Sequence, residues 1–152
     1  MSMKYDSSAD TLKHIKMVNQ FLIDFSIDIL KRAQVHDNSK LESPEKELFD
    51  EMTPILEKVE YNSPEYKESL EKLKPALDHH YLLNTHHPQH YPNGINDMTL
   101  HDIVEMYCDW RAAVLRTKNG DMNKSIDINT ERFNMSPQLA QIFKNTLKFN
   151  ND

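Results

Sequence analysis

Histidine and carboxylate are the residues of this chain whose types and spacing could do chemistry. Eight histidines stand at positions 14, 36, 79, 80, 86, 87, 90 and 101 of a 152-residue sequence, and five of them crowd between His79 and His90. Neutral imidazoles bind divalent transition metals well, and a neighbouring aspartate adds the anionic charge that such ions favour. The stretch Arg32-Ala33-Gln34-Val35-His36-Asp37-Asn38-Ser39-Lys40 sets a histidine and an aspartate side by side, with a lysine just beyond. The crowded segment reads as metal- or phosphate-binding, set against a polar surface in which the imidazoles pack as aromatic rings. On a helix, residues seven apart share a face, which pairs His79 with His86 and His80 with His87. Pro88 lets such a helix run only to about His87.

A second group is acidic. Asp102, Glu105 and Asp109 recur at helical spacing, opposite an apolar arc of Ile103, Val104, Tyr107, Val114 and Leu115. Like charges so stacked repel by a few tenths of a kcal/mol per pair. A solvated face offset by Arg116 is one reading. A cation or another part of the fold, admitted by the small Ala112 and Ala113, is the other. Both stay open on the pattern alone.

Bulk composition narrows the classes. The net charge of -6 argues against an extended nucleic-acid groove, although a short nucleotide brought in through a metal is compatible with it. Gly94 and Gly120 are the only glycines, which argues against a glycine-rich phosphate loop. Cys108 is the only cysteine, so neither a disulfide framework nor a cysteine zinc site is expected, and a reducing cytoplasm fits. No apolar run reaches the roughly 18 residues of a membrane span, and Met1 to Asp10 lacks the build of a signal peptide. The expectation is a soluble, cytoplasmic protein with no membrane partner.

The elements that must position these groups read as helices. Ser8 or Asp10 can cap a first helix bearing Leu12, Ile15, Val18, Leu22, Phe25 and Ile29 on one face, with His14 at its edge. One straight helix from His14 to His36 would hold them roughly 33 Å apart. A site shared by both therefore requires a break at Asp24-Phe25-Ser26-Ile27-Asp28, with Ser26 as cap. Ser43-Pro44-Glu45 and Asn62-Ser63-Pro64-Glu65 each open a further helix, the second interrupted or bent at Pro75. Thr99 caps a helix from Leu100 to Thr117 that Asn119-Gly120 stops. Residues 121–134 read as irregular, and Ser136-Pro137-Gln138 starts the last helix. The expected fold is all-α, one domain spanning 1–152, a bundle of about six helices.

At this point the residues resemble a known superfamily. His14, then His36-Asp37-x-x-Lys40, later histidines and a late aspartate are similar to the HD-domain metal-dependent phosphohydrolases, with Ser39 where many members carry glycine. The chain also resembles a small phage and bacterial family of uncharacterised function. In that family Arg32-Ala33-x-x-His36-Asp37-x-Ser39-Lys40, Asn84-x-His86-His87-Pro88-x-His90 and Glu105-Met106-x-x-Asp109-Trp110-x-Ala112 recur. The HD resemblance implies that His14, His36, Asp37 and Asp109 ligate one ion. It implies a second ion that shares Asp37 and is held by His80 and either His86 or His87. The cofactor would be a divalent metal, one or two ions of Mn, Co, Mg, Zn or Fe.

Such a site implies hydrolysis of a small phosphorylated molecule, most plausibly a nucleotide, by metal-activated water. Lys40 would offset phosphate charge or protonate the leaving group, and His86, His87 or His90 would bind phosphate or act as general acid. Arg32, one turn before His36, would contact phosphate or form a salt bridge. Two rival functions stay beside this one: a di-iron oxygenase with the same ligand set, and a non-catalytic phage or bacterial adaptor that keeps the metal or a nucleotide. The sequence leaves room for a homo-oligomer and for a phage-encoded protein acting in a host cytoplasm.

Overall fold

The first helix carries no glycine or proline, and nothing in it stops propagation. In the computed structural model, which describes residues 5–59, 63–116 and 120–149, it runs unbroken as α1, Ser8–Val35. The break expected at 24–28 is absent. Ser26, the proposed cap, instead donates its hydroxyl back to the Leu22 carbonyl at 2.7 Å, a bond that a serine inside a continuous helix makes. No residue of α1 is buried, and His14 and Arg32 both lie on it.

The chain divides into two compact units, Met1–Val35 and His36–Asp152. The second begins where Asp37 takes a left-handed backbone, φ 57°, a conformation that aspartate tolerates better than most residues. This turn ends the helical path and leads into the 3-10 turn Asn38–Leu41. Then follow α2 (Glu45–Leu56), α3 (Pro64–Leu83), the 3-10 turns Pro88–His90 and Gly94–Asp97, α4 (Leu100–Leu115), α5 (Met122–Arg132) and α6 (Pro137–Phe149). The fold is all-α, six α-helices with no strand among the described residues. None of these helices is long and apolar enough to cross a membrane.

Several helix signals act as the sequence suggests. Ser63 accepts from the Tyr66 amide at 3.1 Å, and Ser136 from that of Leu139 at 3.2 Å. Thr99 and Asp102 form a reciprocal capping box at the start of α4. Other expectations change. Pro75 does not interrupt α3, and Ser43 makes no cap at α2, where Pro44 holds that position. The helix of the histidine cluster ends at Leu83, four residues short of His87, because Asn84 is extended and its side chain caps the His80 carbonyl at 2.8 Å. The expected features at Asn62, Thr117 and Asn119 lie outside the described residues.

The segment read as irregular contains α5. Asp121 caps it through the amides of Asn123 and Lys124, and Met122 and Ile126, one turn apart, enter the core. Its Asn, Ser, Thr and Ile content lowers intrinsic propensity, so burial rather than local preference forms this helix. Met106, Tyr107, Trp110, Met122, Ile126, Met135, Ala140 and Phe143 make one apolar cluster from α4, α5 and α6. Trp110 stacks on Phe133 and meets Phe143 edge-on at a centroid distance of 5.8 Å. A smaller cluster, Met52, Leu73 and Ala76, seals α2 against α3. Glu45 and His80 come from α2 and α3, Glu105 and Asp109 from α4, and His36, Asp37, His86 and His87 from the segments between helices.

Candidate metal centre

Asp37 stands at the centre. Its two carboxylate oxygens face different partners. Oδ2 forms an ion pair with Lys40 Nζ at 2.7 Å and lies 3.6 Å from His36 Nε2. Oδ1 lies 3.2 Å from His80 Nε2 and 3.4 Å from His86 Nε2. His87 Nε2 approaches His80 Nε2 to 2.9 Å, and Asp109 Oδ1 lies 3.7 Å from His36 Nε2. Each contributor has a local cause. The left-handed turn aims Asp37, the last turn of α3 supplies His80, and the reversal at Asn84 returns His86 and His87 over His80. The inward side of α4 supplies Glu105 and Asp109.

Two atoms decide how this cluster reads. Asp37 Oδ1 and His86 Nε2 are buried and have no hydrogen-bond partner. An unsatisfied buried polar atom costs about 1–3 kcal/mol, more when it carries charge, and these two face each other at 3.4 Å, where a cation between them or a proton on His86 would satisfy both. The nitrogen and oxygen atoms offered by Asp37, His80, His86 and His87 all lie within 4.8 Å of one another. So do those of His36, Asp37 and Asp109, and those of His36, His86 and Glu105. Metal–ligand bonds of about 2.0–2.1 Å in a tetrahedral shell separate neighbouring ligand atoms by roughly 3.3 Å. The 3.2 Å and 3.4 Å spacings around Asp37 Oδ1 match that edge, while the 2.9 Å between His80 and His87 Nε2 is tighter. The residues fit a divalent cation.

The electrostatics point the same way. Asp109 and Glu105 raise the His36 pKa from 6.5 to about 10. Burial lowers the His86 pKa, but Asp37 and Glu105 outweigh it and the net shift is upward. Burial, helped by the charges of His86 and His80, takes His87 down to about 3, so its ring is neutral near pH 7. Burial raises the Asp37 carboxyl, yet contacts with His80, His86 and Lys40 hold it far below the usual range. Without a metal, the proton on His36 is positive charge that the carboxylates attract, and the same carboxylates draw His86 toward its protonated form.

The sequence candidates separate accordingly. His36, Asp37, His80, His86, His87 and Asp109 come together, with Lys40 paired to Asp37. His14 sits in the second turn of α1, about 32 Å along the helix from its end at Val35, and belongs to none of the converging groups. Arg32 lies in the last turn of α1. His90 is engaged elsewhere, its Nδ1 2.9 Å from the Tyr81 carbonyl and its ring against Tyr91. His79 does not pair with His86. Its Nδ1 lies 2.8 Å from Glu45 Oε1. Near pH 7 the His87 ring is neutral and lacks the imidazolium proton that a general acid would give.

Three contributors, Glu45, Ser39 and Asn84, were not singled out for the site by sequence reasoning. Glu45, read as a helix-opening acid, is fully buried between His79 and His80. Glu105, for which a solvated face and a cation or fold contact both stayed open on the pattern, contacts His36 and His86. Ser39 and Asn84 complete the hydrogen bonds around Glu45 and His80. The available signal for Ser39, Asn84 and Glu105 was their place inside the recurring motifs, whereas Glu45 had none. Asp102, the third acid of the stack, caps α4 and accepts from Thr85 and Tyr91 instead of joining the centre.

A family model matches residues 3–149, that of the Family of unknown function (DUF5662). The chain belongs to this family. No curated protein and no solved structure matches it. The site of this DUF5662 chain is therefore read from its own residues.

Proposed function

We propose that this chain is a metal-dependent phosphohydrolase acting on a small phosphorylated substrate, a nucleotide being the favoured class, with an HD-like ligand set that lacks His14. The observation that carries the reading is the convergence of the orphaned Asp37 Oδ1 and His86 Nε2 with His80 Nε2. His80, His86, His87 and Asp37 would hold one divalent cation. His36 and Asp109, which face the other side of Asp37, offer a place for a second ion sharing that carboxylate. When bound, such a cation supplies Lewis acidity, polarising a phosphoryl oxygen and making water a better nucleophile near neutral pH.

The chain's own groups do the rest. Lys40, about one-third exposed and already drawn to Asp37, presents an ammonium group beside the centre that can offset phosphoryl charge. The four carboxylates Asp37, Glu45, Glu105 and Asp109 favour a cation over an anion in the centre. An anionic substrate would therefore enter through the bound metal and Lys40. The test is a nucleotide and phosphomonoester panel with Mn, Co, Mg, Zn and Fe, read as phosphate release. Turnover should require one of these metals and disappear in Asp37→Ala. Metal uptake with no turnover on any panel member would instead favour the non-catalytic reading.

A further inference from the structure

Every ring that faces Asp37 or Asp109 through Nε2 and has a resolved partner on Nδ1 meets a carboxylate there. Glu45 Oε2 lies 2.9 Å from His80 Nδ1. Glu105 Oε1 lies 2.8 Å from His36 Nδ1 and 3.1 Å from His86 Nδ1. A carboxylate only accepts, so the hydrogen of each pair belongs to Nδ1. A neutral imidazole with its hydrogen on Nδ1 turns a lone pair out of Nε2, the atom aimed at the centre.

For His80, Ser39 Oγ at 3.1 Å and Asn84 Nδ2 at 3.0 Å also lie against Nδ1, but both have shorter bonds to make elsewhere. The two Asn84 amide hydrogens go to the His80 carbonyl at 2.8 Å and to Ser39 Oγ at 2.9 Å. The Ser39 hydroxyl donates to Glu45 Oε2 at 3.0 Å. His80 Nδ1 is then left to donate to Glu45. The second Glu45 oxygen is taken by His79 at 2.8 Å, so the carboxylate cannot swing away. Glu45 is 0% exposed. A glutamate in the first turn of a helix is satisfied by water and the helix N-terminus, and complete burial of its charge is costly unless its partners are fixed. Its inward position is explained by what it does to His80.

We propose that Glu45 and Glu105 are positioning residues that hold His80, His36 and His86 with hydrogen on Nδ1, leaving Nε2 as the metal-ligating nitrogen. The inference rests on the metal reading given under Proposed function and adds the residues that set its ligand geometry. Outer carboxylates of this kind change metal affinity by about 10–100-fold when removed.

The test uses the full chain labelled with 15N, loaded with Zn2+ alone. Long-range 1H–15N spectra report which ring nitrogen carries hydrogen, and competition with a chromophoric chelator gives the Zn2+ Kd. The expected result is Nδ1–H with Nε2 ligated for the rings in the wild-type protein. Glu45→Gln and Glu105→Gln should each weaken Zn2+ binding by about 10–100-fold. Ile126→Ala, a core variant outside the converging groups, should lower Tm while the Kd stays within about twofold. Should the Gln variants fail to fold, the wild-type spectra alone decide. A wild-type protein that binds Zn2+ through Nδ1 of these rings, or Gln variants with the wild-type Kd, would overturn this inference and leave the metal reading standing. Wild-type protein that takes up no Zn2+ would overturn both.

Discussion

Replacing Asp37 by asparagine tests the centre at its shared atom. The substitution keeps volume and the left-handed turn, since asparagine also tolerates positive φ, and removes one charge. In the wild-type protein a ligand bound only by the folded state stabilises by RT ln(1 + [L]/Kd). That is about 2.7 kcal/mol when free metal stands at 100 times Kd. For a chain of this size each kcal/mol moves Tm by about 2–4 °C, so saturating Zn2+ should raise Tm by about 5–11 °C. Asp37 Oδ1 lies against two imidazole nitrogens at 3.2 and 3.4 Å, and Oδ2 against Lys40, so the anion is central to any ion held there. Removing one charge from a buried, paired arrangement costs about 3 kcal/mol or more, over a hundredfold in affinity. At the same free metal concentration the asparagine variant then sits near its own Kd, and the shift falls to about 0.4 kcal/mol, or 1–2 °C. Differential scanning calorimetry with and without metal measures both. An equal metal-induced rise in Asp37→Asn and wild type would refute the reasoning, because the ion would then be held somewhere else.

Two further outcomes follow from the charges. His36, raised to about 10 by Asp109 and Glu105, is protonated in the metal-free protein near pH 7. The stabilisation from that protonated state is fully present below about 6.5 and lost as pH rises through about 10. Metal loading near pH 7 should therefore release protons, seen as a buffer-dependent heat in titration calorimetry. A heat that is independent of the buffer would contradict it. Asp102 is 1% exposed, and although burial raises its pKa, bonds from Thr85, Thr99 and Tyr91 hold it at about 2. Its contribution is present above about 3.8 and lost as pH falls through about 2. Asp102→Asn should thus cost about 2 kcal/mol in urea denaturation near pH 7 and progressively less toward pH 2. A pH-independent loss would show that packing, not charge, is responsible.

Much of the fold was legible because helix ends announce themselves locally. Ser63-Pro64 and Ser136-Pro137 open helices, and Thr99 with Asp102 closes a capping box. α5 was not legible, since Met122 and Ile126 become a helical face only once Met106 and Trp110 offer a surface to cover them. The break in the first helix was inferred from a functional demand on His14 and not from a local signal, and the chain has no residue there to enforce it. His86 and His87 were expected on a helix with His79 and His80. His80 and His87 do meet, but through the reversal at Asn84.

The sequence by itself determined an all-α chain and singled out residues that the fold gathers, His36, Asp37, His80, His86, His87 and Asp109, along with His14, which belongs to none of the gathered groups. Residue type sets ligand chemistry, and the short spacings within each motif restrict where those residues can lie. Only the tertiary structure decided which side of α4 turns inward, so that Glu105 and Asp109 serve the centre while Asp102 serves a cap. It also decided that Glu45 leaves water to anchor His79 and His80. The physical reason is that a carboxylate's partner is chosen by packing across dozens of residues, 34 from Glu45 to His79 and 69 from His36 to Glu105. No local preference encodes such distances.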